Sequence, residues 1–129
     1  MKILLDTHVL LWLLAGSERV SEQARSLLAD PHNDVFVSVA SAWEIAIKVA
    51  LGKLDVPPDV RSWLPAELAA SRLTTLPITF DHALSVEHLP PHHADPFDRL
   101  LIAQALAEEM VLVSNDHQFA RYDIRVIRC

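Results

Sequence analysis

The segment KILLDTHVLLWLL, residues 2–14, places the carboxylate of Asp6 inside an otherwise apolar run. A secretory signal peptide needs an unbroken apolar region of about 7–15 residues before its cleavage site, and a charge-free membrane span needs about 20. Here the unbroken run is only Val9–Ala15, with a charge close before it. The pattern instead favours a buried strand, Lys2–Leu5, followed by a helix over Thr7–Leu14. Asp6 then stands at the carboxyl end of the first strand.

Beyond this segment, predicted strands and helices alternate along the chain. β-Branched and apolar runs predict strands in DVFVSV (34–39), RLTTLPI (72–78), VLVS (111–114) and IRVIR (124–128). Helical patterns cover 17–30, 41–53, 56–71 with an interruption near Pro65, 79–89 and 99–110. This order predicts a single α/β domain over residues 1–129, with a central, mostly parallel sheet flanked by helices. Ligands of such sheets bind beyond the carboxyl ends of the strands.

Composition limits the functional classes without choosing one. The chain has 129 residues, of which 51% are apolar, and its only cysteine is Cys129, so no internal disulfide is possible and a reducing, cytoplasmic setting is expected. The formal charge of −6 excludes a chain that is basic as a whole, as sequence-independent duplex binders usually are. Two explanations remain open: nucleic acid is not the partner, or the acids converge on a site where a cation offsets them.

Four separated acids lie where a predicted strand ends or a predicted helix begins. They are Asp6, Glu44, Asp98 and Asp116, and Asp95 lies beside Asp98. Because the carboxyl ends of parallel strands share one edge of the sheet, these side chains are expected to lie close together.

Several of these acids also fit a purely structural role. Ser41 and Glu44 match a capping box, and Asp95 matches an N-cap with proline at the next position. Asp116 is compatible with capping a turn. Asp6 is the hardest to explain in this way, because burying an unpaired carboxylate costs several kcal/mol.

Taken together, the acids predict a metal site. Four neighbouring carboxylates raise one another's pKa unless a cation is present, and oxygen ligands suit Mg²⁺ or Mn²⁺ better than Zn²⁺. Such an ion activates water for phosphodiester hydrolysis. His88, His92 and His93 lie in a proline-containing loop without cysteine partners, which argues against a zinc site. His93 is instead expected to order the loop before Asp95.

Four segments resemble the motifs of the PIN-domain ribonucleases, and most closely those of VapC-like toxins. They are LLDTHVLLW (4–12), SAWEIAIK (41–48), HHADPFDRLLIAQA (92–105) and LVSND (112–116), and together they span nearly the whole chain in order. The resemblance implies a single PIN-like domain with Mg²⁺- or Mn²⁺-dependent RNA cleavage. It implies that the catalytic residues are Asp6, Glu44, Asp98 and Asp116, with the metal held by Asp6, Asp98 and Asp116.

The resemblance also implies supporting residues and partners. Thr7 and Ser114 are expected to contact a carboxylate or bound water through their hydroxyls, and Asp95 is auxiliary. Ala94 stands where many relatives have arginine, so a substrate contact is not expected there. An RNA substrate, a small antitoxin protein and a homodimer are the implied partners, and no membrane is involved.

Two cations near the acids have two possible roles each. Lys48 lies four residues after Glu44, and either forms an ion pair with it or contacts substrate phosphate. Arg99, next to Asp98, carries the same ambiguity.

The sequence leaves two rival functions open. One is a non-catalytic PIN-like module that binds a partner through its apolar helices. The other is a phosphatase, whose second acid would stand where this chain has His8.

Overall fold

The centre of the molecule is a five-stranded sheet in which every neighbouring pair of strands is parallel, as a computed structural model of residues 1–129 describes it. The strands are β1 (Lys2–Leu5), β2 (Asp34–Ser38), β3 (Thr74–Leu76), β4 (Val111–Val113) and β5 (Val126–Ile127). Their order across the sheet is β3-β2-β1-β4-β5. The predicted α/β class is therefore confirmed, and the sheet is parallel throughout.

Helices cover both faces of the sheet. They are α1 (Thr7–Leu14), α2 (Glu22–Ala29), α3 (Val39–Ala50), α4 (Val60–Ala70), α5 (Phe80–Ser85) and α6 (Pro96–Glu108), with short 3₁₀ helices at Val86–His88 and His117–Arg121. None of the helices has both the length and the apolar character needed to cross a bilayer.

Strand β1 is buried on both faces, which explains its continuous apolar sequence. Alternate side chains enter two different cores: Ile3 and Leu5 pack with residues of α1, α3 and α4, whereas Leu4 packs with residues of α6. The chain moves outward from β1 to β3 and then returns to β4 on the other side of β1. The strand order thus reverses between β1 and β4, and ligands of open α/β sheets bind at such a reversal.

Element boundaries agree with the sequence at β1 and α1 and differ elsewhere. Helix α2 begins at Glu22, because the Ser21 side chain accepts a hydrogen bond from the Ala24 N–H and caps it. The predicted interruption near Pro65 is wrong: α4 continues through it, anchored by buried Leu64 and Leu68.

The start of α3 also differs from its prediction. The helix begins at Val39, and the Ser38 hydroxyl accepts from the Ala40 N–H as its cap. The predicted capping box of Ser41 and Glu44 is therefore wrong, and Glu44 is the sixth residue of the helix. Gly52, with a φ of 69°, lies just after the helix as predicted.

Candidate functional site

Asp6 lies at the end of β1, with only 4% of its surface exposed. The backbone N–H of Asp6 donates to the Val113 carbonyl at 3.1 Å, and its Oδ2 accepts from the Ser114 hydroxyl at 2.7 Å. Its Oδ1 is buried without any hydrogen-bond partner. Burial raises the pKa of Asp6, nearby Glu44 raises it further, and the hydrogen bond from Ser114 opposes both. The site therefore fixes the position of this carboxylate but gives its second oxygen no hydrogen-bond donor.

Glu44 enters from α3 and is 2% exposed. Its Oε2 lies 2.6 Å from Lys48 Nζ, one helical turn further along, while its Oε1 is buried without a partner. The hydrogen bond to Glu44 raises the pKa of Lys48, and the charges of Asp95 and Asp98 add to this. Lys48 thus forms the predicted ion pair and also lies close enough to the other acids to interact with them.

Asp98 stands in the first turn of α6, where its carboxylate meets the other acids. Burial raises the pKa of Asp98 to about 8, and the charges of the neighbouring carboxylates contribute to this rise. In order of decreasing effect, these neighbours are Asp6, Asp95, Glu44 and Asp116. The predicted acids are therefore close enough to one another for their charges to act on Asp98, in addition to its burial.

Asp116 follows β4 and shares a histidine with Asp98. His93 Nε2 lies 2.9 Å from Asp98 Oδ2 and 3.0 Å from Asp116 Oδ2. His93 Nδ1 accepts from the Asp95 N–H at 3.2 Å, so the ring proton is on Nε2, which donates to Asp116 Oδ2. Burial raises the pKa of Asp116, but hydrogen bonds from the Gln118 N–H and His93 outweigh this and leave that pKa lowered.

The donor atoms fit a hard divalent cation. Single ligand atoms of His93, Asp98 and Asp116 lie within 4.8 Å of one another. Two further carboxylate oxygens, Asp6 Oδ1 and Glu44 Oε1, are buried and unpartnered in the same region. An unpaired buried carboxylate is costly, and an oxygen-rich site of this kind is suited to Mg²⁺ or Mn²⁺. His93, which the predicted ligand set did not include, contacts the acids through its protonated Nε2 and is therefore a hydrogen-bond donor to them in this structure.

Two predicted supporting residues have structural partners of their own. The Thr7 hydroxyl donates to Ser41 Oγ at 2.8 Å and links α1 to α3, so it does not donate to a carboxylate, and the alternative contact with bound water stays a prediction. Asp95 Oδ1 accepts from the N–H groups of Phe97 and Asp98, at 2.9 and 3.2 Å, and caps α6. Ser114 does contact a carboxylate, since it donates to Asp6 and also accepts from the Asp116 N–H.

Arg99 forms no ion pair with the acids, so that alternative of its prediction is wrong, and a phosphate contact stays a prediction. Its guanidinium donates to the Tyr122 hydroxyl and to loop carbonyls, within 3.0–3.4 Å. These carbonyls belong to Val86, Leu89, Pro90 and His93. The Tyr122 hydroxyl also accepts from the His93 N–H at 2.8 Å. Arg99 and Tyr122 therefore fix the loop that presents His93 to the acids.

We expect Arg99→Ala to destabilise the protein by about 2 kcal/mol, because charged hydrogen bonds are lost and loop carbonyls are left without donors. Thermal unfolding followed by circular dichroism measures this loss. Arg121→Ala is the matched control, because Arg121 is exposed and makes one long contact, of 3.4 Å, with Gln118. Equal melting temperatures for the two variants would contradict the role assigned to Arg99.

Some residues of the site carried little signal in the sequence. Ser38 and Ser41 are two serines among several, and only the observed helix start shows which one caps α3. Tyr122 lies 29 residues from His93, with which it bonds. His93 lies in the histidine-rich loop before Asp95, and its predicted ordering of that loop agrees with the bond from the Asp95 N–H.

Known proteins that resemble this chain include two that are named as ribonucleases. The family model described as PIN domain matches residues 3–125. Ribonuclease VapC22 of Mycobacterium tuberculosis is 31% identical over 118 residues, which covers 90% of this chain and 88% of that protein. Ribonuclease VapC16 of the same organism is 41% identical over 61 residues, covering 47% of this chain and only 42% of that protein.

A solved structure shares the fold across its full length. The crystal structure of VapBC2 from Rickettsia felis contains a chain that matches this one with a TM-score of 0.74. In that structure the complex is bound to a DNA fragment from its promoter. That match covers 99% of this chain and 98% of the other, at 20% sequence identity. At this identity the likeness establishes the arrangement of strands and helices around the acids and nothing more.

Proposed function

The chain belongs to the PIN-domain family, among its VapC relatives, and on that premise we propose that it is a metal-dependent endoribonuclease and the toxin of a toxin–antitoxin pair. The single observation that carries the proposal is the pair of buried, unpartnered oxygens, Asp6 Oδ1 and Glu44 Oε1, beside the cluster of His93, Asp98 and Asp116. A helix-capping role leaves these two oxygens unexplained, whereas a bound Mg²⁺ or Mn²⁺ explains them.

We assign the roles by position. Asp6, Asp98 and Asp116 hold the ion, and Glu44 completes the acidic set from α3. When bound, such an ion lowers the pKa of a water and offsets charge on the phosphodiester. Ser114 orients Asp6, and His93 holds Asp98 and Asp116 together through one ring nitrogen. Lys48 keeps Glu44 paired and remains a candidate for phosphate contact, because it is one-third exposed.

The same proposal includes the partners. RNA is the substrate, and a small antitoxin protein is the inhibitor, as the VapC names and the VapBC complex suggest. We also propose a homodimer in the cytoplasm. Large apolar side chains on α3 and α5 are exposed, with Trp43 at 59% and Phe80 at 89%, and a second copy would cover such surfaces.

Metal binding tests the proposal apart from any choice of RNA. Saturating Mn²⁺ is expected to raise the melting temperature of the chelator-treated protein, since a ligand that binds only the folded state stabilises it by about 2.7 kcal/mol at one hundred times its Kd. RNA cleavage by the same preparation is expected with Mn²⁺ or Mg²⁺ and not with EDTA. No Mn²⁺-induced stabilisation, together with intact RNA, would favour the non-catalytic binding module instead.

A further inference from the structure

Arg19 lies on the rim of the acidic site, in the connection between α1 and α2. It lines a cleft of about 350 Å³ together with Asp6 and Asp116. Its guanidinium carbon lies 5.4 Å from the centre of the Trp12 ring, a cation–π arrangement. The side chain is exposed, so its donors face the solvent of the cleft.

The guanidinium of Arg19 has no hydrogen bond or ion pair to any protein group. In this it differs from the two cations predicted beside the acids. Lys48 Nζ is bound to Glu44 at 2.6 Å, and the guanidinium of Arg99 is bound to the loop carbonyls. Arg19 is therefore the cation of this cleft whose hydrogen-bonding capacity is unused.

The fold also holds Arg19 in position. Its backbone N–H donates to the Ser17 hydroxyl at 3.2 Å, and its carbonyl accepts from the Cys129 thiol at 3.8 Å. The Ser21 N–H donates to the Cys129 carbonyl at 3.2 Å, which is a second hydrogen bond between the α1–α2 connection and Cys129. A side chain already ordered on an aromatic ring loses less entropy when it binds a ligand.

The unpaired guanidinium of Arg19 suits an anionic ligand. The walls of the cleft carry carboxylates, and the chain as a whole carries −6, so an incoming polyanion needs a cation close to the acids. Resting on the proposed ribonuclease function, we infer that Arg19, supported by Trp12, binds a backbone phosphate of single-stranded RNA next to the phosphate that is cleaved. The planar guanidinium suits phosphate, which it binds through two parallel hydrogen bonds.

The test measures binding rather than cleavage. Arg19→Ala, Arg19→Lys and Arg125→Ala are each made in an Asp6→Asn background, and fluorescence anisotropy of a labelled short single-stranded RNA is followed over a range of KCl concentrations. Arg125 is the matched control, because it is exposed and precedes β5. It therefore lies at the amino-terminal ends of the parallel strands, whereas the acids lie at their carboxyl ends.

We expect Arg19→Ala to weaken RNA binding about tenfold, as for a lost charged hydrogen bond. The slope of log K against log salt should fall by about 0.7, which corresponds to one single-strand phosphate contact. Arg19→Lys should keep the slope and lose part of the affinity, because an ammonium does not bind phosphate in a bidentate way. Arg125→Ala should change neither quantity.

An unchanged salt slope in Arg19→Ala, or an equal loss in Arg125→Ala, would overturn the inference. Failure of the proposed function has a different signature, because it appears in the otherwise unsubstituted protein as absent Mn²⁺ stabilisation and absent cleavage. Arg19→Ala with Asp6 restored should keep the full Mn²⁺-induced rise in melting temperature, since Arg19 holds no metal.

Discussion

Asp6→Asn is expected to lower the rate of RNA cleavage by at least about a thousandfold, because the substitution removes a metal-binding charge worth several kcal/mol of transition-state stabilisation. The amide has nearly the shape of the carboxylate, and its oxygen still accepts from the Ser114 hydroxyl. Burial and Glu44 raise the pKa of Asp6, so the ionised form is unfavourable in the metal-free protein. The variant should therefore fold, and its Mn²⁺-induced rise in melting temperature should disappear.

Cleavage of a labelled RNA under single-turnover conditions measures the loss of activity, and thermal unfolding with and without Mn²⁺ measures the loss of binding. Asp34→Asn is the charge-matched control, because Asp34 is exposed at the start of β2. It lies at the amino-terminal end of that strand, whereas the acids lie at the carboxyl ends. Asp6→Asn protein that cleaves RNA at the rate of the parent would exclude the proposed mechanism.

Asp98→Asn is expected to stabilise the metal-free protein while abolishing its activity. The folded protein has a pKa of about 8 for Asp98, against an ordinary value of 3.8. Between these values the folded state binds a proton that the unfolded chain has already lost, so the free energy of unfolding falls as pH rises. An asparagine does not titrate, and it leaves the other acids with one charge fewer to repel.

The gain in melting temperature should therefore be small near pH 4 and reach roughly 5 °C near pH 8, in the presence of a chelator. Calorimetry across this pH range measures it, again with Asp34→Asn as the control. Mn²⁺ should reverse the order of stability, because the parent binds the ion and the variant binds it poorly. A gain that is constant across pH would show that the titration of Asp98 in its buried, acidic surroundings is not its cause.

Sequence periodicity was sufficient to predict the parallel sheet and to place most of the acids at the carboxyl ends of its strands. β1 and α1 have the predicted bounds, because an apolar run interrupted by a single acid is compatible with few other arrangements. Asp6, Asp98 and Asp116 follow from the rule that parallel strands end at one edge. The boundaries of α2 and α3 were less accurate, because several serines compete as caps, and the choice depends on packing.

Only the tertiary structure decided what the polar side chains contact. Ser114 and Asp6 are 108 residues apart in the chain, yet they share a hydrogen bond of 2.7 Å. Arg99 stands next to an acid in the sequence but binds the loop, and His93 joins two carboxylates that come from different elements. The physical reason is that periodicity along a chain determines which face a residue occupies, whereas a hydrogen bond or ion pair depends on atoms within about 3 Å after folding.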